Sequence, residues 1–154
     1  MADALKYAVV ERERRFLVAR LPDGVHGTKE ISDRYVIGTR MRLREVREID
    51  GTVVRKLGHK VRVGKGPAEV ACTNFYVNAD EWTVLLTLPA LTVHKKRHMI
   101  QRDGWIVAVD EHGDGTLVAE IDDGDRPSSD VPGWLDVLED VSEDERWTGA
   151  ALAR

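Results

Sequence analysis

The sequence predicts an α+β fold, an antiparallel sheet of seven or eight strands with two or three short helices against it. Three observations lead there. Apolar and charged residues alternate with period 2 in one segment after another, as they do where successive side chains point to opposite faces of a strand. Turn formers separate these segments at Asp50-Gly51, Gly64–Pro67, Asp103-Gly104 and His112–Gly115. The spacing of a helix capping box appears at Asn78–Glu81 and again at Ser142–Glu145.

Taken in order, the span Tyr7–Val18 puts Glu11, Glu13 and Arg15 on one face and Arg12, Arg14, Phe16 and Val18 on the other. In Arg40–Glu45, arginines at 40, 42 and 44 alternate with Met41, Leu43 and Glu45. Val53–Val63 sets Lys56, Gly58, Lys60 and Arg62 against Arg55, Leu57, His59 and Val61. Further strands are predicted at Glu69–Val77, Leu91–Gln101, Trp105–Glu111 and Thr116–Asp122. The first capping box leads into an apolar helix face of Trp82, Leu85 and Leu86 before Pro89. The second opens a short C-terminal helix, with Asp140 placed to cap it and Trp82, Trp134 and Trp147 to pack helices on the sheet. Strand after strand thus joins an apolar face to a fully charged one. A sandwich or open sheet with one solvated face has that pattern, and so has a closed barrel with a charged interior and an apolar exterior. Periodicity alone leaves both open.

Length bounds the organisation: 154 residues without repeats or a long linker predict one domain over 1–154. Cys72 is the only cysteine, which excludes an internal disulfide and a cysteine-only zinc site. No stretch has the apolar core of a signal peptide or a membrane span, so a cytoplasmic protein with no membrane partner is expected. The net charge of −4 comes from 23 basic and 27 acidic residues, and they are unevenly placed. Bases dominate from Arg12 to Arg102 and acids from Asp103 onward. An overall acidic balance disfavours a nucleic-acid partner. The alternative is that both signs converge on one site, where bases hold an anion and acids hold a metal.

The acids have suitable spacing. Glu11/Glu13 and Glu120/Asp122 are carboxylates at i and i+2, projecting from one strand face, and Asp110 lies on the strand between. Magnesium and manganese take such oxygen ligands and complete their shells with water and substrate phosphates. The bases are Arg15, Arg40, Arg42, Arg44, Lys56, Lys60, Arg62, Lys95 and Arg97. Arginine forks hold phosphate oxygens in bidentate fashion and lysine adds a point charge. Three consecutive phosphates use that much positive charge better than one. Gly64-Lys-Gly66 lacks the spacing of a Walker loop, so side chains must do the gripping.

Glu11-Arg-Glu13-Arg-Arg15 resembles the ExExK signature of the CYTH family, the triphosphate tunnel metalloenzymes. The resemblance continues in family order. It runs through Arg34-Tyr35 with Arg42-Leu-Arg44, Lys56-Leu-Gly-His-Lys60, Lys95-Lys-Arg97, Asp110, and Glu120-Ile-Asp122, and ends with Asp140–Trp147. It implies a closed eight-stranded antiparallel β-barrel forming a tunnel, with flanking helices. It also implies metal-dependent hydrolysis of a triphosphate-containing small molecule, inorganic triphosphate first. Adenylyl cyclase or thiamine triphosphatase activity is the enzymatic alternative, and a non-catalytic polyphosphate- or nucleotide-binding module the alternative of another class. By motif, Glu11, Glu13, Asp110, Glu120 and Asp122 become metal ligands for Mg2+ or Mn2+. Arg15, Arg42, Arg44, Lys60, Arg62, Lys95 and Arg97 become phosphate ligands, with Lys60 oriented by Tyr35 as the catalytic base. A homodimer is left open as the assembly. Two positions depart from the pattern: Arg15 stands where lysine is usual, and Ala71 follows Glu69 where many members carry a second acid.

Overall fold

The computed structural model describes residues 5–154, so the first four residues of the expected 1–154 domain lie outside the described part. Nine strands follow one another: β1 (Val9–Val18), β2 (Val25–Val36), β3 (Met41–Arg47), β4 (Val53–Arg62), β5 (Glu69–Tyr76), β6 (Ala90–Arg102), β7 (Trp105–His112), β8 (Leu117–Asp122) and β9 (Val137–Asp140). Helix α1 (Ala79–Leu85) lies between β5 and β6, and a 3-10 turn (Glu145–Trp147) and α2 (Gly149–Leu152) end the chain. The strands neighbour one another in the order β5-β4-β3-β2-β6-β7-β8-β1, and β1 pairs with β5 to close the ring. The result is a closed eight-stranded antiparallel barrel. Along the edge of β1 that β5 leaves at Arg12, β9 takes over from Phe16 to Val18.

Closure settles which of the two patterns the alternation encodes. The apolar faces point outward and are covered. Phe16, Val18, Val107, Val109 and Ile121 pack beneath Leu135 and Trp134 of the segment that connects β8 to β9. Val36 and Leu43 pack beneath Trp82 of α1. Side chains between these outward ones on the same strands face inward, and they are the charged ones.

Several expectations need correcting. With helices of seven and four residues, the protein is mostly β and not α+β. Strand β2 runs twelve residues, although both its faces carry polar side chains and no alternation announced it. Strand β9 was likewise unexpected. The Ser142 box caps nothing. Its hydroxyl donates to Asp140 Oδ1 at 2.6 Å and accepts the Arg15 backbone N–H at 3.0 Å, so Asp140 serves this bond and not a helix end. The C-terminal turns are capped by Asp144 and Thr148 instead. The expected turns are present: Asp103 and Gly104, with φ of 52° and 80°, form the two-residue link between β6 and β7, as hairpin twist requires. No helix among the described residues is long and apolar enough to cross a membrane.

The Asn78 box is realised in full. The Asn78 side chain accepts the Glu81 backbone N–H at 2.9 Å, and the Glu81 carboxylate accepts the Asn78 N–H at 2.9 Å. Asn78→Ala is expected to cost about 1 kcal/mol, lowering the melting temperature by roughly 2–4 °C for a chain of this size. Thermal unfolding followed by circular dichroism checks it.

Candidate functional site

Inward faces of β1, β2, β3, β4, β5, β6 and β8 enclose a cavity of about 470 Å³. All nine expected bases line it, as do Glu11, Glu13, Glu120, Asp122 and Tyr35. The strand register explains the convergence. Arg15 of β1 faces Glu120 of β8, and Glu13 faces Asp122. Tyr35 of β2 faces Arg42 of β3, and Lys56 of β4 faces Arg44. Directly opposed residues share a face, so each pair projects into the same space.

Two ion clusters organise the walls. In the first, Asp33 of β2, 1% exposed, receives Arg44 Nε and Nη2, each at 2.7 Å, on its two oxygens. Burial works to raise the Asp33 carboxyl, but the Arg44 hydrogen bonds and the charges of Arg44 and Arg42 bring it below the usual range. In the second, Asp110 takes Lys95 at 2.5 Å and the Arg97 fork at 2.7 and 2.8 Å. Burial again opposes ionisation, and Lys95 and Arg97 outweigh it, holding Asp110 well below the carboxylate range. Arg97 Nη2 also reaches Glu120 at 2.8 Å. Asp110 was expected on the metal side, yet both its oxygens are engaged by bases. Its work in this structure is to anchor Lys95 and Arg97. Asp33 was not anticipated at all. The signal was its place two residues before Tyr35 on one strand face, legible only once β2 is recognised.

The β1 carboxylates sit differently. Burial, and then the nearby Glu120, push Glu13 up, with Arg15, Lys60 and Arg97 opposing. Glu120 goes the other way: burial works against it, but Arg97 leads the charges that lower it. Arg15 Nη2 lies 2.9 Å from Glu13 and its Nε 3.9 Å from Glu120, while Lys60 Nζ lies 3.6 Å from Glu11. Among the described residues, no three His, Cys, Asp or Glu side chains converge tightly enough to hold an ion by themselves. Magnesium needs less, since it is commonly held by one or two carboxylates and the substrate phosphates. Glu13 and Glu120, close enough to repel, fit that share, with Asp122 across the ladder from Glu13.

Unused donors point inward from the bases. Arg15 Nη1 and Arg42 Nε are buried and have no hydrogen-bond partner, and Arg42 as a whole is 8% exposed. Unpaired buried charged donors cost free energy, which an anion in the cavity would recover.

One end of the cavity is crossed by the C-terminal segment, whose Thr148, Gly149 and Ala150 line it. A Cβ at Gly149 would stand 2.0 Å from the Tyr35 hydroxyl, so only glycine lets the segment lie this close. Glu145 pairs with Arg62, and the Arg154 and Thr92 backbones exchange hydrogen bonds of 2.9 Å. Arg62 therefore sits at the rim with a carboxylate partner. Burial, with Asp33 next, raises the Tyr35 phenol, which stays a neutral donor. Glu69 and Ala71 face outward, Glu69 beside Arg12 at 3.2 Å, so the acid missing at 71 would not have entered the cavity.

No protein-family model and no curated protein matches the chain. Solved structures do. A conserved hypothetical protein from Pyrococcus furiosus superposes with a TM-score of 0.55 at 20% identity, over 79% of this chain and 81% of that one. A protein from Pyrococcus horikoshii gives 0.51 at 18% identity, over 78% and 80%. At these identities the likeness shows the barrel fold alone.

Proposed function

We propose that the cavity binds the phosphate chain of a triphosphate-containing substrate and hydrolyses its terminal phosphoanhydride, as the resemblance to the CYTH family implies. The observation that carries this reading is the pair of buried, unpartnered guanidinium donors on Arg15 and Arg42, aimed into a space bounded by nine bases. Arg42, Arg44 and Arg97 are pre-set by Asp33 and Asp110, so binding an anion there orders little that is not already ordered. These guanidiniums and Lys95 would neutralise charge on the transferring phosphoryl group and on the leaving diphosphate. Lys60 Nζ, beside Glu11, would orient the attacking water, with the neutral Tyr35 phenol donating to the phosphate chain. Glu13 and Glu120, with Glu11 and Asp122 nearby, would hold magnesium or manganese, which supplies Lewis-acid polarisation of phosphoryl oxygens when bound.

Inorganic triphosphate is the simplest substrate, and thiamine triphosphatase or adenylyl cyclase chemistry the enzymatic alternatives. One observation favours the binding-module reading instead: Glu11, Glu13 and Glu120 each already sit against a base of the cavity. Phosphate release from tripolyphosphate, ATP and thiamine triphosphate, with magnesium or manganese, separates the two. Metal-dependent release from at least one is the expected result. Tight calorimetric binding without release from any of them would leave a sensor in place of an enzyme.

A further inference from the structure

The cavity has one uncharged wall. The inward faces of β1, β3, β4, β6 and β8 carry ionised side chains, but β5 contributes Val70, Cys72 and Asn74. The next residue on that face is Tyr76, directly across from Lys56 of β4, which lines the cavity. A chain of phosphates has no use for a neutral wall, because every phosphate oxygen is better placed against a base.

Two features of this wall are built. Asn74 lies opposite Gly58 in the ladder, and a Cβ at Gly58 would stand 2.6 Å from Asn74 Oδ1. The amide therefore occupies space that only a glycine leaves open. Its nitrogen donates to Cys72 Sγ at 3.1 Å, which turns Oδ1 away from the thiol as an acceptor. Tyr76, at the end of β5, is 76% exposed. It lies four residues beyond the last β5 residue paired with β1, Cys72 opposite Val9, so no strand covers it on that side. An amide and an exposed aromatic ring at i and i+2 form a hydrogen-bonding edge and a stacking surface on one strand face. Sequence-tolerant recognition of nucleobases uses that combination. The opposite end of the cavity, crossed by Thr148–Ala150, has no exposed ring.

From this we infer that the substrate of the proposed reaction carries a planar heteroaromatic head group, as a nucleoside triphosphate does, seated on Tyr76 and Asn74 while its phosphates lie among the arginines. This rests on the polyphosphate reading and narrows it away from inorganic triphosphate. The Asn74 carbonyl accepts an N–H from the ring edge, and Tyr76 stacks on the ring face.

The test compares dissociation constants for ATP and tripolyphosphate by calorimetry, at one magnesium concentration, in the wild type and in Tyr76→Ala, Tyr76→Phe and Asn74→Ala. Wild-type protein should bind ATP about tenfold more tightly than tripolyphosphate, the factor that stacking of one base typically supplies. In Tyr76→Ala that ratio should fall close to one, Tyr76→Phe should keep it, and Asn74→Ala should reduce it. Because Tyr76 is mostly in solvent, its replacement leaves the barrel folded. A wild-type ratio near one, or a ratio that survives Tyr76→Ala, overturns the head-group site while leaving polyphosphate binding intact. Binding of neither ligand overturns both.

Discussion

Asp110→Asn should destabilise the barrel by about 3–5 kcal/mol, because it removes the charge from one partner of a buried ion cluster and leaves the others in place. Asp110 is 1% exposed and carries Lys95 on one side and the Arg97 fork on the other. Glu120 still meets Arg97 in the variant, but the Lys95 ammonium, on the same strand face, loses its only carboxylate within 4 Å among the described residues. For a chain of this length the loss corresponds to roughly 10 °C in melting temperature. The pH dependence has a definite sign. Lys95 and Arg97 hold the folded-state carboxyl well below its range, while in the unfolded chain it titrates near the ordinary value of about 3.9. A group depressed in this way stabilises the fold above its unfolded pKa, and that contribution is lost as pH falls towards the folded value. Wild-type protein should therefore lose stability steeply below about pH 4, and Asp110→Asn should show a shallower loss over the same window. Melts at pH 7, 5, 4 and 3 measure both. A variant melting within a degree of wild type at pH 7 would mean that water compensates the cluster and that the arginines are not pre-set by it.

How far the sequence discloses this arrangement depends on how local the determining contact is. The Glu11, Glu13, Arg15 face was legible because three alternating residues on one strand need only the period of the pleat to share a side. The inward direction of nine separated bases was legible for the same reason. Whether the charged faces pointed to water or to one another was not, because closure is set by four residue pairs between β1 and β5, far apart in the chain. Strand β2 escaped notice for a different reason. Its Thr28, Glu30 and Ser32 meet polar residues of β6, such as His98 and Lys96, on a partly solvated outer face, so neither side looks apolar. With β2 went Asp33, whose role requires the register that sets it opposite Arg44. Ser142 misled because the same short hydroxyl can cap a helix or tie down a strand. The backbone of Arg15, distant in sequence, decided which.

The clusters also divide the carboxylates by task. Asp33 and Asp110 are saturated by bases and lowered, which suits fixed counter-ions. Glu13 and Glu120 are neighbours with shifts of opposite sign, the signature of a pair in which one charge is tolerated and the second is not. A stabilising structural pair has no reason to be built that way. A site waiting for positive charge does.

Glu13→Gln tests this division, with opposite effects on stability and on turnover. Burial and Glu120 raise the Glu13 carboxyl in the fold, so the linkage sign is the reverse of that for Asp110. Whatever favourable contribution the group makes is present below its unfolded pKa and is lost as pH rises through the folded value. At neutral pH its charge therefore works against folding. Glutamine keeps the shape and can still meet Arg15 through its carbonyl, but it removes the repulsion from Glu120. The variant should melt at or above the wild-type temperature at pH 7, and the gain should vanish near pH 4, where Glu13 would be protonated in any case. Magnesium- or manganese-dependent phosphate release should fall at least about a hundredfold, the loss of two to three kcal/mol of transition-state stabilisation. Calorimetric binding of tripolyphosphate without metal should persist or tighten, because one negative charge has left a cavity that holds an anion. Loss of stability together with activity would make Glu13 a structural partner of Arg15. Unchanged release from a variant that melts higher would remove it from the metal set. Only a more stable and less active protein agrees with a carboxylate kept at a cost for the ion it is to hold.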